Sequence, residues 1–130
     1  REFVDKTGVD TLAVGIGTAH GLYPDGYVPK LRLDILQEIK TIVKLPLVLH
    51  GGSGNPDEEI AEAVRLGINK INISSDIKDP YYQQVRRTLE DKTLREPNQI
   101  YRDAIEVMKK VMEQKMDLFG CTDTSQYYRL

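Results

Sequence analysis

The sequence of 130 residues lacks a second cysteine, so Cys121 has no partner for an internal disulfide. Disulfide-stapled secreted folds are thereby excluded, and no signal-peptide pattern opens the sequence, which points to a reducing, cytoplasmic setting. No apolar run approaches the ~20 residues that a membrane helix needs. No block of one charge sign is present either: 18 Lys and Arg are interspersed with 20 Asp and Glu, giving a formal net charge of −2. Neither a nucleic-acid surface nor a membrane-binding face is expected from that pattern. No low-complexity segment occurs, and no GxGxxG opens a helix, which weighs against a dinucleotide-binding sheet. Finally, histidine is scarce. The two present, His20 and His50, each follow an apolar run and each precede a glycine.

What is present reads as one soluble globular α/β unit, with 40% hydrophobic and 29% charged residues. "REFVDKTG" resembles a helix end, with Phe3 and Val4 toward a core and Gly8 as the stop, so the chain is expected to be the C-terminal part of something longer. "VDTLAVGIG" has strand length, and "TAHGLYPDGYVP" is a Gly- and Pro-rich loop. Leu33, Ile35, Leu36, Ile39, Ile42 and Val43 recur at helical spacing, which predicts a helix over Arg32–Lys44. "LVLH" is a second buried strand. Asn55 and Pro56 suit the cap and first position of a helix that buries Ile60, Ala63 and Val64 and stops at Gly67. "INKINIS" is a third strand, with a helix expected from Asp79-Pro80 onward. The polar "EDKTLREPN" then leads to a long helix over Gln99–Phe119, in which Met108 and Met112 are expected in the core.

Strands that alternate with helices imply a parallel sheet with right-handed crossovers. His20 and His50 are 30 residues apart, close to the ~31 residues per unit of an eightfold α/β barrel. Polar residues follow each strand, on the edge where such barrels carry their sites. The expected fold is therefore the C-terminal part of a (β/α)8 TIM barrel, comprising its last three strands and closing helices, with residues 1–130 a portion of a single barrel domain.

Two imidazoles at neighbouring strand ends either converge on one ion, for which neutral imidazole is a good ligand, or each merely cap a strand end. A catalytic zinc site takes three protein ligands, and no third histidine exists here. Asp76 is the one carboxylate at a matching strand end. "HGGSG" supplies uncovered backbone amides, a hydroxyl and a following helix dipole, all suited to an oxyanion. Its glycines equally suit a sharp turn with no ligand. "NISSD" offers Asn72, Ser74, Ser75 and Asp76 at the same rim, or simply a polar helix start.

"VGIGTAHGLY", "LVLHGGSG" and "GINKINISSD", in that order and spacing, resemble the class II, zinc-dependent ketose-bisphosphate aldolases. Within these they are similar to the tagatose-bisphosphate type, whose best-known relative acts on fructose bisphosphate. The resemblance implies that His20 and His50 are zinc ligands. It implies that Gly21, Gly51, Gly52, Ser53 and the segment Asn72, Ile73, Ser74, Ser75 bind dihydroxyacetone phosphate, with Ser75 standing for the family's threonine. The H-x-D-H segment, which carries another zinc histidine and the acid/base aspartate, belongs to the family's N-terminal half and is absent from this sequence. Ile105 stands, with Arg102 nearby, where fructose-bisphosphate members place an arginine, so fructose bisphosphate itself is the weakest part of the resemblance. The implied reaction is zinc-dependent cleavage of a ketose 1,6-bisphosphate to dihydroxyacetone phosphate and an aldehyde such as glyceraldehyde 3-phosphate, by a homo-oligomer (dimer or tetramer). Two other functions fit the residues: a non-catalytic sugar-phosphate-binding module, and a metal-independent phosphate-binding barrel enzyme.

Overall fold

The computed structural model describes residues 1–21 and 23–128. It resolves into two compact units, residues 1–74 and 75–130. The first unit runs α1 (Glu2–Thr7), β1 (Leu12–Ala13), α2 (Leu33–Ile42), β2 (Leu47–Leu49), α3 (Asp57–Arg65) and β3 (Ile68–Ile71). The second contains α4 (Ser75–Thr88), α5 (Pro97–Leu118) and a 3-10 turn, Thr124–Tyr128. Among the described residues no helix is long and apolar enough to cross a membrane.

The three strands form one parallel sheet in the order β1-β2-β3, as the alternation of elements predicts. Every residue of β2 is buried, because a central parallel strand is covered on both faces. Leu47 and Leu49 join Ile16, Leu36 and Ile60 as the most deeply buried side chains of this unit. β1 is shorter than its apolar run. Only Leu12 and Ala13 pair with β2, and one further bond, from Val14 N–H to the Val48 carbonyl, continues the ladder before the chain turns away at Gly15–Gly17. Val14 and Ile16 are buried all the same, so the run reads correctly as core and incorrectly as a long strand.

Between β2 and β3 the register slips by one residue. Leu47 pairs with Ile68, but Val48 pairs with Lys70 and Leu49 with Ile71. Asn69 is the extra residue of this bulge, and its side-chain oxygen accepts the Leu47 N–H at 3.2 Å.

Several helix boundaries differ from the sequence expectation for local reasons. α2 starts at Leu33, since the Arg32 N–H is donated to the Ile16 carbonyl to close the base of loop 17–31. It ends at Ile42, where Val43 turns extended and buries its side chain while Ile42 is exposed. α3 has Pro56 at its cap position, and Asn55 is not a helix cap: its amide group donates to the Gly51 and Ser53 carbonyls, and its buried Oδ1 has no partner among the described residues. α4 starts at Ser75, four residues before the expected Asp79, and Pro80 sits inside it. α5 starts at Pro97, which suits the first helical turn because its missing N–H would be unpaired there anyway. Phe3 and Met112, both expected in a core, are exposed. Gly8 does end α1, in the left-handed conformation at φ 64°.

Leu49 is fully buried one residue before His50. Leu49→Ala in the full-length protein should lower stability by about 2–5 kcal/mol, whereas Val28→Ala, at an exposed loop position, should change it by less than about 0.5 kcal/mol. Urea denaturation midpoints check both, and an unaffected Leu49→Ala protein would show that β2 is not the core strand of this unit.

Candidate metal and phosphate site

The turn after β2 is shaped by what its glycines lack. Gly51 is buried with φ 64°, and a Cβ there would collide with the Ala19 carbonyl. A Cβ on Gly52 would fall 2.6 Å from Ile71 Cγ2 and 3.1 Å from the Asn72 carbonyl oxygen. The Gly52 N–H is donated to that same carbonyl at 3.0 Å. Gly52 therefore contributes closeness rather than a donor to any anion. Ser53 is buried, and its hydroxyl accepts the Ser74 N–H at 3.0 Å, which joins the ends of β2 and β3. The two Asn55 amide bonds hold the turn from below.

His20 reaches this turn by a different path from His50. His50 directly follows β2, whereas His20 lies seven residues beyond the end of β1. The loop between makes up the difference. The Thr18 hydroxyl donates to the His50 carbonyl at 2.7 Å, and Ala19 lies against the bare face of Gly51. The Ala19 N–H is donated to the Tyr23 hydroxyl at 2.9 Å, and the Tyr23 ring stacks on Tyr27 with centroids 5.4 Å apart. As a result the two imidazoles lie edge to face, with ring centroids 5.7 Å apart and planes at 83°. Both are exposed, and they border a cavity of about 250 Å³ together with Thr18, Ala19 and Gly51.

The spacing suits a shared ion. Two imidazoles bound to one zinc at the usual 2.0–2.1 Å hold their ring centroids roughly 5–6 Å apart. Among the described residues no group of three or more His, Cys, Asp and Glu side chains is placed to hold a metal. Asp76, the carboxylate expected at the third strand end, belongs to α4 of the second unit. It forms an ion pair with Lys115 at 3.1 Å inside the second unit, with both side chains largely buried.

From β3, the Asn72 backbone bonds to the Leu49 carbonyl and to the Gly52 N–H, so its side chain leaves the sheet beside His50. Asn72 Nδ2 is 3.1 Å from His50 Nδ1, and Asn72 Oδ1 is 2.8 Å from Lys70 Nζ. Ile73 is half-buried against Gly52, Ser74 is exposed, and Ser75 begins α4 in the second unit. Gly21, with φ 98°, follows His20 at an open position. The structure thus brings His20, His50, Gly51, Gly52, Ser53, Asn72 and Ser74 around one strand edge. Sequence reasoning passed over Thr18, Tyr23 and Lys70. Lys70 was readable in principle, because positions 70 and 72 share a face of a strand.

The parallel sheet with paired imidazoles beside a glycine turn fits one end of an α/β barrel, and similarity to known proteins gives the family. Residues 1–124 match the family described as "Fructose-bisphosphate aldolase class-II". The solved YdjI aldolase from Escherichia coli K12 is similar at 33% identity and TM-score 0.78, over 94% of this chain and 43% of that one. Fructose-bisphosphate aldolase from Campylobacter jejuni is similar at 26% identity and TM-score 0.70, over 85% of this chain and 40% of that one. The chain belongs to the class II fructose-bisphosphate aldolase family, and it spans about two fifths of the length of these solved relatives.

The Thr18 tie gives a direct check on how His20 is placed. Thr18→Val keeps the shape and removes the donor to the His50 carbonyl, so it should cost about 0.5–1.5 kcal/mol in unfolding free energy. The same change should shift the ring resonances of His20. Unchanged His20 signals would mean that the loop is held by other contacts.

Proposed function

We propose that the full-length protein cleaves a ketose 1,6-bisphosphate by a zinc-dependent retro-aldol reaction, releasing dihydroxyacetone phosphate and an aldehyde such as glyceraldehyde 3-phosphate. The observation that carries this reading is the approach of His20 and His50 to 5.7 Å beside the glycine turn, in a chain of the class II aldolase family. His20 and His50 hold the zinc. A bound zinc ion supplies Lewis-acid polarisation of the substrate carbonyl and stabilises the negative charge that develops as the carbon–carbon bond breaks. Its third ligand and the acid/base aspartate come from the part of the barrel beyond this chain, of which residues 1–130 are the C-terminal portion.

The remaining site residues fix the three-carbon phosphate. Gly21, open where a side chain would stand, lets its phosphate approach the backbone closely, and Gly51 holds the turn beside it. Gly52 and Ile73 shape the floor, while Ser53 and Ser74 supply hydroxyl donors at the ends of β2 and β3. Asn72 directs its amide toward the same pocket. Holding the phosphate orients the reacting carbons, which removes much of the entropic part of the barrier. We propose likewise that the enzyme is a cytoplasmic homo-oligomer that acts on phosphorylated small molecules and binds neither nucleic acid nor membrane.

His50→Ala in the full-length enzyme should abolish bound zinc and aldol cleavage together while the circular dichroism spectrum stays native. Retained zinc with normal turnover would end the metal assignment. Ser53→Ala tests the phosphate grip. One charge-assisted hydrogen bond is worth roughly 1.5–3 kcal/mol, so its loss should lower kcat/KM for the bisphosphate about 10–150-fold with zinc content unchanged. An equal loss on an unphosphorylated ketose would assign Ser53 to holding Ser74 rather than to binding phosphate.

A further inference from the structure

At the end of β3, Lys70 and Asn72 project from the same face of the strand, and the hydrogen bonds around them leave little freedom. The Lys70 ammonium is 2.8 Å from Asn72 Oδ1, and Asn72 Nδ2 is 3.1 Å from His50 Nδ1. An ammonium group carries donors and no acceptor, so only the oxygen of the Asn72 amide can face it. The amide NH2 then faces His50, and it too is only a donor. His50 Nδ1 must accept. A neutral imidazole has a single acceptor nitrogen, so its proton resides on Nε2.

We propose that Lys70, acting through Asn72, is a positioning residue that fixes His50 as the Nε2–H tautomer and leaves Nδ1 as the nitrogen offering its lone pair to a ligand. The Thr18 contact does not compete, because it engages the His50 backbone carbonyl and leaves the ring free to follow Asn72. The arrangement has a second consequence for the pocket. The Asn72 N–H held by Nδ1 is released when that nitrogen takes another partner, and it becomes a donor for a substrate oxygen. The role of Nδ1 toward a metal rests on the zinc reading given above, whereas the tautomer does not.

The test uses full-length protein labelled with 15N-histidine and stripped of metal by a chelator. Long-range 1H–15N correlations are recorded at about pH 8.5, where free imidazole is neutral. Wild type and Lys70→Arg, which both present only donors to Asn72, should show His50 as the Nε2–H form by more than about tenfold, the value of one satisfied hydrogen bond. Lys70→Glu presents only an acceptor. It should draw the amide NH2 to itself, turn Oδ1 toward His50, and invert the tautomer ratio in favour of Nδ1–H. Lys70→Met, which only removes the tie, should give a mixture.

An Nδ1–H signal in wild type overturns the inference, as does an Nε2–H signal in a Lys70→Glu protein whose thermal midpoint is native. Added Zn2+ should then shift the Nδ1 resonance of wild type, and Lys70→Glu should bind Zn2+ about 10–100-fold more weakly. A shift at Nε2 instead would overturn the assignment of the ligating nitrogen. If Zn2+ moves neither resonance, the zinc reading fails, and the metal-free spectra alone decide on Lys70.

Discussion

The site depends on the absence of a side chain at Gly51. There the Ala19 carbonyl lies where any Cβ would sit, and the backbone adopts a φ of 64°. An alanine at that position would face the ~1–2 kcal/mol penalty of left-handed backbone in addition to the collision. Because the two backbones touch, the long loop after β1 is brought against the short turn after β2. The Thr18 bond to the His50 carbonyl and the Tyr23 bond to the Ala19 N–H then hold the approach from either side. Two histidines that are unequally distant from their strands finish within 5.7 Å of each other.

Around that contact, nearly every polar group at the sheet edge has a partner. The Gly52 N–H, the Asn72 carbonyl, the Ser53 hydroxyl, the Ser74 N–H and both ends of the Asn72 amide are bonded. The edge is thus preorganised by bonds between neighbouring strand ends, which is how a site can keep its geometry without burying its reactive groups. The imidazoles remain exposed while the turn that follows His50 is buried.

The periodic parts of this fold were legible in the sequence. The 3.6-residue spacing located α2, α3 and α5, and the alternation of apolar runs with helices gave the parallel sheet. Glycine chemistry marked the end of α1. Tertiary contacts decided what was misread. The Asn55 amide satisfies loop carbonyls instead of capping α3, and α4 begins at Ser75 rather than at Asp79-Pro80. The approach of His20 to His50 was legible from their shared context, although both were expected at strand ends and His20 lies seven residues beyond β1. Lys70 escaped notice because its meaning lies in a chain of three side chains, of which the last comes from another strand.

The bulge at Asn69 has a consequence for how such sites diverge. With one residue extra in β3, Val48 pairs with Lys70 and Leu49 with Ile71, which sets Asn72 beside His50. Uninterrupted pairing from Leu47 and Ile68 would have set Ile71 there instead, an apolar group facing an imidazole. Loss of the bulge with every residue kept would leave "HGGSG" and "NISSD" letter-perfect while exchanging the two faces of β3 beyond Ile68. The register of β3 against β2, then, carries as much functional information as the letters of either motif.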